Sequence, residues 1–153
     1  MMWDHYNSRY RERTMNKAIF ATLALATTVA FVSPAFADKY KAALDGKSEN
    51  PPTTSTGTGT ADIDYDAATK KLSWKLTYTG LSGPATAAHF HGPAEVGKNA
   101  GVEVAIPGAT SSPAEGSATL TDAQAADLAA GKLYVNVHTA ANPGGEIRGQ
   151  VTK

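Results

Sequence analysis

The stretch Leu72-Ser73-Trp74-Lys75-Leu76-Thr77-Tyr78 alternates strictly between apolar and polar side chains. Leu72, Trp74, Leu76 and Tyr78 fall on one side, and Ser73, Lys75 and Thr77 on the other. Successive side chains of a strand point to opposite faces, so this period of two predicts a strand with one face on a core. Trp74 and Tyr78 are read as core residues rather than as a sugar-stacking platform.

The same period recurs outward in both directions. Ala61-Asp62-Ile63-Asp64-Tyr65, Val102-Glu103-Val104-Ala105-Ile106 and Leu133-Tyr134-Val135-Asn136-Val137 repeat it, and Ile147, Gly149 and Val151 continue it near the end. Turn chemistry separates the runs. Asp66-Ala67-Ala68-Thr69-Lys70 suits a hairpin loop, Leu81-Ser82-Gly83-Pro84 is a break, and Pro107-Gly108 with Ser111-Ser112-Pro113 marks a surface loop. Asn142-Pro143-Gly144-Gly145 places proline and glycine where a turn uses their restricted and permissive φ. Strands at this spacing predict an antiparallel β-sandwich or barrel. The prolines of Asn50-Pro51-Pro52-Thr53-Thr54-Ser55-Thr56-Gly57 place that segment at an edge, outside a central ladder.

One short helix is predicted. Thr121-Asp122-Ala123-Gln124 is a capping box, and Gly131 suits a left-handed stop. The expected packing side chains are Ala125, Leu128 and Ala129.

The N-terminal region reads differently. From Met15 the chain has basic Lys17, an apolar stretch Ala18–Val32 and the small-x-small triplet Ala35-Phe36-Ala37, the layout of a secretory signal peptide over 15–37. The apolar stretch is short of the roughly 20 residues that span a bilayer, so no stable membrane span is expected after cleavage. Residues 1–14 are polar and unpatterned, and a true start at Met15 accounts for them. The domain expected is 38–153, secreted or periplasmic. It carries ten basic and twelve acidic side chains, without the basic patch that nucleic acid would require. With no cysteine, the fold rests on its core without disulfides, and thiolate zinc sites, thiol nucleophiles and blue-copper centres are excluded.

The histidines carry the remaining chemistry. His89 and His91 in Ala88-His89-Phe90-His91-Gly92-Pro93-Ala94 are two apart, so in a strand they share a face roughly 6.5–7 Å apart at the backbone. His138 ends a later strand. If that strand and the one after Pro143-Gly144-Gly145 form a hairpin, Glu146 lies near His138, Arg148 near Asn136 and Gln150 near Tyr134. His89, His91 and His138, with Glu146 as a fourth ligand or as the group orienting His138, are a reasonable set for zinc or copper(II). The competing reading makes the histidines hydrogen-bonding fold determinants and Glu146 with Arg148 a surface ion pair of little energetic weight. Asp62, Asp64 and Asp66 lack the glycine and distal glutamate of a calcium loop and read as a solvated strand face. No G-x-S-x-G elbow is present, and Gly57-Thr58-Gly59 has no phosphate-loop lysine.

Leu44-Asp45-Gly46, Glu49-Asn50-Pro51-Pro52, Gly80-Leu81, the histidine stretch 88–94, Gly116-Ser117, Leu133–Thr139 and Pro143–Gln150 recur in an order and spacing that resemble the CHRD domain, named for chordin and found also in exported bacterial proteins. Glu49-Asn50-Pro51-Pro52 departs from the family in having Asn50 where an apolar residue is usual. The resemblance implies an extracytoplasmic β-rich domain of immunoglobulin-like character, and in chordin such domains belong to a secreted antagonist of a growth factor. The family's recurrent His, Glu and Arg positions fall on His89, His91, His138, Glu146 and Arg148. The expectation is therefore an exported all-β module, an antiparallel immunoglobulin-like sandwich or barrel with one short helix. Its leading role is non-enzymatic binding or structure, toward an unknown protein or cell-surface partner. The alternatives are a copper- or zinc-binding protein and, third, a dismutase-like metalloenzyme.

Overall fold

The computed structural model describes residues 37–153. The expectations of an upstream start in 1–14 and of a signal peptide over 15–37 lie outside the described residues, Ala37 excepted.

Eight strands and one helix follow in order: β1 (Asp38–Asp45), β2 (Thr58–Asp66), β3 (Lys71–Thr79), β4 (Ala85–His91), β5 (Val102–Ala105), β6 (Ala114–Thr119), α1 (Asp122–Ala129), β7 (Tyr134–Thr139) and β8 (Ile147–Gln150). They form one antiparallel sheet, ordered β5-β4-β7-β8-β1-β2-β3-β6, curled into a nearly closed barrel. Of the two architectures the alternation allows, the barrel is the one adopted.

The alternating runs supply the lumen. Tyr40, Ala42 and Leu44 of β1, Ile63 and Tyr65 of β2, and Leu72, Trp74 and Leu76 of β3 are buried together with Phe90, Val135, Val137, Ile147 and Val151. Trp74 meets Phe90 edge-on, with ring centroids 5.3 Å apart. Its indole also lies against Gly116 of β6, where a Cβ would sit 2.7 Å from Cζ2, so a larger residue here would force the indole to shift. The β2–β3 hairpin turns as expected, with the Asp66 carboxylate accepting from Ala68 N at 2.9 Å.

The helix is capped as its sequence predicts. Thr121 Oγ1 accepts from Gln124 N, Gln124 Oε1 accepts from Thr121 N, and Gly131 takes φ +69°. Leu128 is its buried residue and Ala125 is partly buried, but Ala129 is exposed, because one short helix lying on a barrel buries a narrow stripe.

Two strands depart from simple alternation. Val102 on the edge strand β5 is exposed where a core contact was expected, since the ladder with β4 shifts register between Phe90 and His91. Strand β7 is buried on both faces. Leu133, Val135 and Val137 enter the core, while Tyr134, Asn136 and His138 lie on the outer face, under segments 46–57, 92–101 and 139–145. The proline-rich segment 50–57 stays outside the ladder, as expected, and Thr53 and Ser55 bond Glu146, just before β8.

Candidate metal centre

The outer face of β4, β7 and β8 holds a buried polar layer. In register, His89 lies opposite Asn136, and Asn136 opposite Arg148; His91 lies opposite Tyr134, and Tyr134 opposite Gln150. The hairpin register expected from the sequence is the one formed. His138 sits one step along β7, opposite Ala87. Two-residue spacing on β4 and the antiparallel ladder with β7 thus bring three imidazoles onto one patch. His89, His91 and His138 each offer a ring nitrogen, and these lie within 4.8 Å of one another. Ring centroids are 5.0 Å apart for His89 and His138, 5.5 Å for His89 and His91, and 6.1 Å for His91 and His138.

Backbone carbonyls decide the tautomers. His138 Nδ1 lies 2.9 Å from the Pro143 oxygen, and His91 Nδ1 lies 3.1 Å from the Ala100 oxygen. A carbonyl only accepts, so Nδ1 of each ring carries a proton, and in the neutral ring Nε2 is left with the lone pair. The Nε2 atom of His91 is buried and has no partner. That of His138 accepts from His89 Nδ1 at 3.1 Å. Two nitrogens each about 2.0–2.1 Å from one ion keep a comparable separation. Burial pushes the pKa of His89 down, and the neighbouring histidines add to this. His138 is also lowered, chiefly by burial, with the Pro143 bond opposing. Neutral rings are the form a metal binds.

Glu146 is not among the converging groups. Its buried carboxylate accepts from Ser55 Oγ at 2.7 Å, Ser82 N at 2.7 Å, Ser82 Oγ at 2.6 Å, Thr139 Oγ1 at 2.6 Å and Asn142 Nδ2 at 3.2 Å. These donors hold the carboxylate away from the imidazoles, and the Pro143 carbonyl occupies the place beside His138 that Glu146 was expected to take. Burial alone would raise the Glu146 pKa, but the hydrogen bonds from Ser55, Ser82 and Thr139 outweigh it and bring it to about 2.

Arg148 is likewise no surface charge. It is 1% exposed, its guanidinium carbon lies 3.4 Å from the Tyr134 ring centroid, and it donates to Asn99 Oδ1 at 3.1 Å and Lys98 O at 2.6 Å. Tyr134 stacks on His91 at 4.9 Å with planes 5° apart. The surface ion pair expected of Glu146 and Arg148 is absent, because each charge is solvated by separate loops. Glu49, buried nearby, has its pKa pushed up by burial, with Arg148 opposing, and its Oε1 has no hydrogen-bond partner.

Sequence reasoning found the three histidines through their spacing. It missed Pro143 and Ala100, whose contributing atoms are backbone oxygens without side-chain signature, and Tyr134 as a stacking partner. The alternation of Tyr134, Asn136 and His138 with valines was the available signal for a second buried face.

Comparison with known families matches residues 40–151 to the CHRD domain. No curated protein and no solved structure matches the chain.

Proposed function

The chain belongs to the CHRD domain family, and on that footing we propose that it is an exported, non-enzymatic protein that binds one copper or zinc ion through His89, His91 and His138. The observation carrying the proposal is the convergence of three ring nitrogens within 4.8 Å, two of them bared by hydrogen bonds to carbonyls. Three imidazoles without thiolate suit copper(II) and zinc, and the usual stability order of divalent ions favours copper. The extracytoplasmic location rests on the signal-like layout of 15–37.

The reading as a docking module for a protein or cell-surface partner rests on less. The exposed large apolar side chains among the described residues are Val96 and Val102, fewer than a patch of several hundred Å² needs.

Calorimetric titration of the metal-free chain with copper(II) and zinc, with elemental analysis, tests the proposal. Near one-to-one, sub-micromolar binding that His89→Ala and His138→Ala each weaken at least tenfold is expected. Weak binding indifferent to both substitutions would overturn it. Assay of the copper-loaded chain for superoxide dismutation checks its non-enzymatic part: turnover lost with His138→Ala would replace it with the dismutase-like reading.

A further inference from the structure

We infer that Glu146 and Arg148 are positioning residues, each holding the loop whose backbone carbonyl fixes one histidine's proton on Nδ1. The inference concerns how His91 and His138 are presented; its functional meaning rests on the metal reading above.

The two residues are two apart in the 146–148 stretch, at and just before β8, and each bonds a different loop. From Glu146 the path runs to segment 139–145. Thr139 Oγ1 and Asn142 Nδ2 both donate to its Oε2. Ser82 donates through both its backbone and its hydroxyl, tying the break before β4 to the same carboxylate. One residue beyond Asn142, the Pro143 oxygen accepts from His138 Nδ1. From Arg148 the path runs to segment 92–101. The guanidinium bonds the Asn99 side chain and the Lys98 carbonyl, and Asn99 Nδ2 donates to Asn50 O at 2.8 Å. The next residue is Ala100, whose carbonyl accepts from His91 Nδ1 and whose N–H donates to Tyr134 Oη at 3.2 Å.

Glu146 is 0% and Arg148 1% exposed, and among the described residues neither makes an ion pair. Burying a charge unpaired is costly; Glu146 is satisfied by neutral hydrogen-bond donors, and Arg148 by neutral acceptors of the covering segment with the Glu49 carboxylate nearby. An apolar pair at these positions would leave both segments without their anchors. The carbonyls of Ala100 and Pro143 would then wander, and each imidazole would distribute its proton between Nδ1 and Nε2. A ring with its proton on Nε2 offers the wrong nitrogen to the shared point.

Side-chain nitrogen-15 NMR of the metal-free full chain reads the tautomers directly. In Arg148→Gln, His91 should lose its single Nδ1–H signature while His138 keeps it. In Glu146→Gln the converse should hold. Copper(II) affinity should fall about tenfold or more in each, the usual cost of removing a group that orients a ligand. Arg148→Lys, which keeps the charge but not the two-pronged donor, should restore the His91 signature in part. Should the charge substitutions fail to fold, Asn99→Ala and Thr139→Ala remove one anchoring bond on each path and carry the same readout. Both histidines remaining wholly Nδ1–H in folded variants would overturn the inference and leave the metal proposal standing. Shifted tautomers in a wild-type chain that binds no copper or zinc would uphold the positioning and sink the metal proposal.

Discussion

Protonating Glu146 leaves five donors facing a carboxyl group that accepts less well. Its pKa is about 2 in the fold against an ordinary 4.5, so the folded state favours the ionised form. Its contribution to stability is therefore fully present above pH 4.5 and lost as pH falls from there toward 2. Glu49 acts with the opposite sign, since its raised pKa makes its contribution greatest in acid and lost as pH rises. Comparing the wild type with Glu146→Gln isolates the first effect. Denaturant unfolding should show the variant less stable by about 3 kcal/mol at neutral pH, as expected for losing charge-assisted bonds in a buried network. The gap should close toward pH 2. A gap independent of pH would mean the hydrogen bonds to the ionised carboxylate are not its source. At the opposite wall of the barrel, Gly116→Ala should destabilise by about 1–3 kcal/mol, because the added methyl meets the Trp74 indole.

At the scale of elements, the capping box of α1 gives a clean expectation. Thr121→Ala removes the acceptor for Gln124 N and should cost about 1 kcal/mol in thermal or chemical unfolding. A cost near zero would mean packing of Leu128, not the cap, holds the helix. The strands legible in the sequence were those whose alternation is bounded by turn residues: β2, β3, β5, β7 and β8. Strand β1 was not read as a strand, although Tyr40, Ala42 and Leu44 alternate with charged or small residues; it stands directly after the signal-like region, where no turn marks its start. Strand β6 was missed because Ala114–Thr119 holds only small or polar side chains, and Gly116 is there to make room rather than to pack. Of the candidate site, the three histidines were visible as side chains at strand spacing. The reassignment of Glu146 was not visible, because the hydroxyls that claim it come from Ser55 and Ser82, distant in sequence and inconspicuous in type.

At the scale of the whole molecule, the candidate centre ties β4 to β7, two strands joined through a long excursion that contains β5, β6 and α1. An ion held only by the folded arrangement stabilises the fold by mass action, by about 2.7 kcal/mol when free metal stands at a hundred times its dissociation constant. Copper(II) or zinc should therefore raise the melting temperature of the wild type in a concentration-dependent way and leave His138→Ala unmoved. An equal rise in both would place the ion elsewhere.

The meeting of β1 with β8 sets an order in time. Asp45 faces Arg148, Lys41 bridges to Thr152, and Lys153 pairs with Asp38 at 2.8 Å, so the middle of the sheet joins the earliest described strand to the latest. A chain delivered from its N-terminus presents β1, and later His89 with His91, long before the partners they need. Such distant pairings are slow to form, because a long loop must close before any contact rewards it. The two histidines of β4 are then a bare pair until Tyr134–Gln150 emerges with the third imidazole, Glu146 and Arg148. The metal capture proposed above would thereby be a late event, reserved for a finished chain.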